Sequence, residues 1–202
     1  MRDRIMRDRI RNEIGAYVGD KRLRHVLGVE AECLSLAVLF GLTGEETEQL
    51  ARAALLHDIT KGFSREEHLA YLDRIGVPVP EDTLRSEKTL HALSGAFFAR
   101  ETYPEAVDDA VFSAILFHTT GREDMSLLQK LMYLADYIEP TRTFPDCVTL
   151  RRFFYDRIAT GDRYEVLNET LIRSFDMTIA DLIERREPIH RDTIAARNFL
   201  LP

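Results

Sequence analysis

At 202 residues, with 45% hydrophobic and 30% charged residues, the chain can bury one sizeable core and has the composition of a folded domain rather than a disordered one. A formal net charge of −7 and a pI near 5.4 argue against bare nucleic acid or an anionic membrane as partner, because both reward a basic surface. A small anionic ligand stays open, since a basic pocket can sit on an acidic protein.

The opening repeats itself, as MRDRI over residues 1–5 and again over 6–10, which is too short for a structural repeat. Residues 1–20 are therefore expected to form an N-terminal helical extension, with a single domain over 21–202. The start is rich in Arg and Asp and lacks the apolar run of a signal peptide. No stretch reaches the roughly 18 apolar residues of a membrane span, so a cytoplasmic protein is expected. Helical periodicity predicts helices over 23–40, stopped by Gly41, and over 45–61, stopped by a left-handed Gly62. Ser64 with Glu67 has capping-box spacing for a helix to residue 75, closed by Gly76. The Val-Pro-Val-Pro stretch over 77–80 reads as a loop. Helices resume over 88–102 and 104–118, and Ser126 with Gln129 starts another to residue 138. After a loop flanked by Pro140 and Pro145, two helices are predicted over 146–159 and 164–186. No alternating segment makes a persuasive strand. The expected fold is all-α, a single bundle of about seven to nine helices.

The informative residues are polar groups on apolar helix faces. Val107, Ala110, Val111, Ala114 and Ile115 form a stripe whose continuation is His118. Asp136 is surrounded by Leu131, Met132, Leu134, Ala135 and Ile138, and a buried carboxylate is costly without compensation. His57 and Asp58 follow the apolar run 53–56, His25 adjoins Val26 and Leu27, and His91 lies between Leu90 and Leu93. One such histidine is more often a packed core residue than a ligand. Five such positions in order on five helices point instead to a metal centre inside the bundle. His68, among Arg65, Glu66 and Glu67, reads as solvated, and His190 reads as part of a polar tail. Cys33 and Cys147 fit no zinc spacing and read as packing residues.

The order H…HD…H…H…D resembles the HD-domain phosphohydrolase superfamily. Within it, ALLHDITKG (54–62), LHALSGA (90–96), FHTTGREDMSLLQKLMYLADYIEPTR (117–142) and PIHRDTIAARNFL (188–200) resemble the YqeK branch of symmetrical bis(5′-nucleosyl)-tetraphosphatases. The resemblance spans about residues 20 to 200. It implies hydrolysis of diadenosine tetraphosphate to two ADP and a divalent metal on His25, His57, Asp58 and Asp136. Iron is the first choice, with manganese or cobalt as substitutes, and a second ion near His91 and His118 stays open. It further implies nucleotide contacts from Arg22, Asp58, Ile59, Thr60, Lys61, His91, His118, Thr119 and Arg142, and from Thr193, Arg197 and Asn198 in the tail.

The chemistry suits these residue types. Imidazole and carboxylate ligands without thiolates favour a catalytic metal over a structural zinc. Asp58 can orient the attacking water, and Lys61, one turn on, offers an ammonium to a phosphate. Arg22, three residues before His25, and Arg142, just past the Asp136 helix, can clamp further phosphates. Other expectations compatible with the same centre are a nucleotidase, a dNTP triphosphohydrolase, a di-iron oxygenase or a nucleotide-sensing module. A homodimer is left open.

Overall fold

The computed structural model describes residues 2–201; Met1 and Pro202, the outer ends of the segments 1–20 and 21–202, lie outside them. The described residues fold as eleven helices and contain no strand. In order these are α1 (Arg2–Glu13), α2 (Gly15–Phe40), α3 (Gly44–Leu56), α4 (Arg65–Arg74), α5 (Glu81–Arg85), α6 (Glu87–Thr102), α7 (Asp109–Phe117), α8 (Leu127–Ile138), α9 (Pro145–Ile158), α10 (Arg163–Glu184) and α11 (Arg191–Leu200). The all-α expectation holds, and the count exceeds seven to nine because the short α5 follows the 77–80 loop and the tail forms α11.

Local chemistry sets the helix starts. Ser64 and Ser126 form complete capping boxes with Glu67 and Gln129, and Thr43 with Glu46 adds a third at α3. Asp108 caps α7 by accepting from the Val111 N–H, so that helix begins at Asp109 rather than at 104. Gly41 and Gly76 take left-handed backbone at φ 68° and 70°, as expected for helix stops.

One stop differs, and it shapes the site. α3 ends at Leu56, Gly62 is not left-handed, and residues 57–62 run as consecutive turns instead of continuing the helix. Polar side chains there bond elsewhere. His57 Nδ1 lies 2.7 Å from the Ala54 carbonyl, and the Thr60 hydroxyl donates to the His91 carbonyl of α6 at 3.1 Å. Such side-chain bonds compete with the helical ladder.

α3 is the central helix, packed against α1, α2, α7 and α8. Its residues 50–56 are all buried, including Arg52, which pairs with Asp3 and Asp108. Ile10 of α1 and Ile14, the N-cap of α2, belong to the same apolar cluster as Val26, Leu55, Leu134, Phe154 and Phe175. The two MRDRI copies are therefore unequal, since Ile5 is 62% exposed and Ile10 fully buried. Cys33 and Cys147 are buried free thiols. Among the described residues no helix is long and apolar enough to cross a membrane.

Ile10→Ala is expected to lower stability by about 2–5 kcal/mol through the cavity it leaves. Ile5→Ala should stay within about 0.5 kcal/mol. Urea unfolding of the two variants checks this, and equal effects would contradict the packing of α1.

Candidate metal centre

Five helices or helix ends deliver polar side chains to one place. His25 comes from α2, His57 and Asp58 from the turns closing α3, His91 from α6, His118 from the C-cap of α7, and Asp136 from α8. Ligand atoms of His25, His57 and Asp58 lie within 4.8 Å of one another, and the same holds for His57, His118 and Asp136 and for Asp58, His91 and His118. The three groups share members, so this is one cluster. Asp58 is only 2% exposed.

The imidazoles are oriented from behind. His25 Nδ1 lies 3.0 Å from Glu139 Oε1, while His57 and His118 each place Nδ1 2.7 Å from a carbonyl, of Ala54 and Ile115. These bonds turn the Nε2 atoms toward the cluster, the arrangement by which metal-ligating histidines are usually fixed. Glu139 is itself buried and accepts from the Thr141 N–H at 2.6 Å and hydroxyl at 2.7 Å. Gly28, one turn after His25, makes room for it, because a Cβ there would overlap Glu139 Oε2.

His25 Nε2 and His57 Nε2 are buried without a hydrogen-bond partner. His25 Nε2 instead stands 3.0 Å from Asp136 Oδ1, and His57 Nε2 stands 3.4 Å from Asp58 Oδ2. Unsatisfied nitrogens beside carboxylates, in a place this buried, fit a divalent cation by donor chemistry. Burial disfavours charge on His25, but Asp136 and Glu139 outweigh it and raise its pKa to about 9. Burial and neighbouring His57 push His118 down to about 4, and burial with Lys61 and His118 holds His91 well below its ordinary range. Burial opposes ionisation of Asp58 and Asp136. The surrounding His57, His91 and Lys61 nonetheless hold Asp58 well below the carboxylate range, and Arg142, His25 and His57 do the same for Asp136.

Three cations ring the cluster. Arg22 Nη1 is 3.1 Å from Asp58 Oδ2, Arg142 Nη2 is 2.6 Å from Asp136 Oδ1, and Lys61 Nζ is 3.0 Å from His91 Nε2 and 3.8 Å from Asp58 Oδ1. A cavity of about 800 Å³ opens over Asp58, His91, His118 and Asp136, walled by Tyr133 and Tyr137 of α8 and by the 177–184 face of α10. Thr119 lines it, with its hydroxyl 3.1 Å from His118 Nε2.

Other predicted residues sit elsewhere. The Ile59 side chain is in the apolar core, and the Thr60 hydroxyl is spent on His91 and Ser94. Thr193 is buried at the start of α11, and Arg197 is bonded to Asp176 of α10 and to Asn198. The first turn of α11 lines a different cavity, of about 410 Å³, with Thr83, Thr89 and Thr120. Two expectations need correction. His68 is buried, 2.7 Å from Ser94 Oγ, because it turns toward α6 while its charged neighbours face outward. His190 is also buried, capping α11 and lying 3.2 Å from Thr83 Oγ1. Reasoning from the sequence missed Glu139, the C-cap of α8, three residues after Asp136.

The family model for the HD domain matches residues 22–141. The chain is 35% identical over 185 residues to a symmetrical bis(5′-nucleosyl)-tetraphosphatase of Halalkalibacterium halodurans, covering 92% of this chain and 91% of that protein. It is 33% identical over 183 residues to one of Bacillus subtilis, with 90% of each covered. A solved structure from Clostridium acetobutylicum, described as a "predicted HD superfamily hydrolase involved in NAD metabolism", superposes with a TM-score of 0.83 at 35% identity, covering 96% of this chain and 95% of that one.

Glu139→Gln is expected to weaken divalent-metal binding about 10–100-fold, the usual effect of losing an outer-shell partner. A metal titration with unchanged affinity would remove Glu139 from that role. A pH trend follows from His25. In metal-free protein its folded pKa of about 9 exceeds the ordinary 6.5, so its proton stabilises the fold below 6.5 and that contribution is lost as pH rises through 9. The thermal midpoint of chelator-treated protein should therefore fall across that window and fall less in His25→Gln. A flat profile in the unsubstituted protein would contradict the assignment.

Proposed function

Because the chain belongs to the HD-domain family, we propose that it is a metal-dependent phosphohydrolase that splits diadenosine tetraphosphate symmetrically into two ADP. One observation carries the reading. The unpartnered Nε2 atoms of His25 and His57 meet Asp58 and Asp136 between three cations, beneath a cavity open to a ligand. The substrate is supported by the activity named for the two relatives, which align over 92% and 90% of this chain.

His25, His57, Asp58 and Asp136 would hold the metal. Imidazoles and carboxylates without thiolates suit iron, the first choice, and also manganese or cobalt. His91 and His118, grouped with Asp58, offer donors for a second ion. A divalent cation there neutralises phosphoryl charge and makes water more acidic. The chain's own groups supply the remainder. The Arg142 and Arg22 side chains are 27% and 37% exposed, so both retain donors for phosphoryl oxygens. Asp58 Oδ1 faces His91 Nε2 at 3.3 Å and Lys61 Nζ at 3.8 Å. It is the acceptor that would orient the attacking water, with Lys61 paired to the phosphate. Water adds to one of the two central phosphorus atoms as the bond to the central bridging oxygen breaks. One ADP leaves on that oxygen, the other carries the oxygen from water, and the proton from water is released to solvent through the cavity above. Positioning and charge stabilisation are what such a transfer chiefly requires.

The reading predicts ADP as the sole chromatographic product of diadenosine tetraphosphate, formed only with added iron, manganese or cobalt. Asp58→Asn should lower kcat by on the order of a hundredfold or more. AMP with ATP would contradict symmetrical cleavage, and absence of turnover with all three metals would contradict the function.

A further inference from the structure

A second cavity, of about 840 Å³, lies on the α2 side of the metal cluster, between that helix and the loop that follows α8. Its lining is unlike the rest of this acidic protein. Lys21, Arg22, Arg24 and Arg142 supply four cations, and Glu139 is its one carboxylate. Glu139 is already engaged by His25 and by both donors of Thr141, so it does little to offset them at the opening. Phe144 stands at the edge of the cavity, 64% exposed, so its ring is open to a ligand there. The loop is well held, because Arg151 of α9 donates to the carbonyls of Ile138, Glu139 and Arg142 at 2.5, 2.5 and 2.8 Å.

Arg142 lines this cavity and also the one over His91 and His118. Its side chain, 27% exposed, thus stands between the two while pairing with Asp136. Arg22 likewise lines the second cavity while touching Asp58. A polyphosphate held by both arginines would direct one end toward each cavity. Cations that track phosphates beside an exposed aromatic ring are the usual means of holding a nucleotide without reading its base.

We propose that this second cavity holds the other nucleoside half of the symmetrical substrate, with Phe144 stacked on its base and Lys21 and Arg24 paired with its phosphates. The proposal rests on the dinucleotide reading above and adds to it how the substrate lies: one nucleoside on the α10 side of the cluster, one on the α2 side.

The test is calorimetric binding to metal-loaded protein of the diadenosine tetraphosphate analogue with a methylene at the central bridge, compared with ADP. Phe144→Ala should weaken the analogue about tenfold, as expected for one lost stacked base. It should leave the tighter ADP event unchanged, and Phe144→Tyr should restore analogue binding. Phe144 makes no capping bond for α9, so the substitution leaves that helix its start. The proposal is overturned if Phe144→Ala binds the analogue as tightly as the unsubstituted protein, if it weakens the tighter ADP event equally, or if the unsubstituted protein does not bind the analogue. Turnover is read separately: selective weakening without turnover of diadenosine tetraphosphate would keep the subsite and reject the reaction.

Discussion

Two carboxylates at the centre of a helical core constrain everything around them. Asp58 and Asp136 sit where an unpaired charge would be prohibitive, and each is held ionised by named neighbours rather than by water. Asp58 is met by Arg22 and Lys61, and Asp136 by Arg142 and His25. With Glu139 behind His25, three carboxylates face three permanent cations. A divalent ion in their midst would take over much of that neutralisation, leaving Arg22 and Arg142 to face an anionic ligand. The same groups thus account for tolerance of the buried charge and, under the proposed function, would supply affinity toward phosphates.

The fold serves this constraint by ending helices at the cluster instead of running them through it. α3 is buried throughout residues 50–56, and its early end at Leu56 places His57 and Asp58 in turns whose side chains are free to point inward. His118 follows the last turn of α7, and Asp136 lies in the last turn of α8. His91 lies in the second turn of α6 and His25 well inside α2, and His25 has the most support: Glu139 to orient it, Thr141 to hold Glu139, and the absent side chain of Gly28 to let them approach. Beside the cluster, the α8–α9 loop is fixed by Arg151, which donates to its carbonyls.

Much of this was legible before any coordinates. Capping boxes at Ser64 and Ser126 and apolar stripes that end on His118 and surround Asp136 are local signals, and local chemistry decides them. The helix expected over 45–61 was misjudged because its end depends on α6, whose His91 carbonyl takes the Thr60 hydroxyl. His68 was misread for a related reason. Charged neighbours in sequence describe the outer face of α4, while the burial of His68 is set by Ser94, 26 residues away. The basic lining of the second cavity was hidden by averaging, since a net charge of −7 says nothing about four cations gathered from α2 and one loop. Glu139 lay inside a motif already singled out, yet only its 114-residue separation from His25 in sequence, closed to 3.0 Å in space, reveals its role.

The most direct test of the account is anomalous diffraction from crystals of the metal-loaded protein, recorded on either side of the metal's absorption edge. The account predicts an ion bonded to Nε2 of His25 and of His57 and to the carboxylates of Asp58 and Asp136. An active protein whose only anomalous peaks lie away from these four side chains would contradict it.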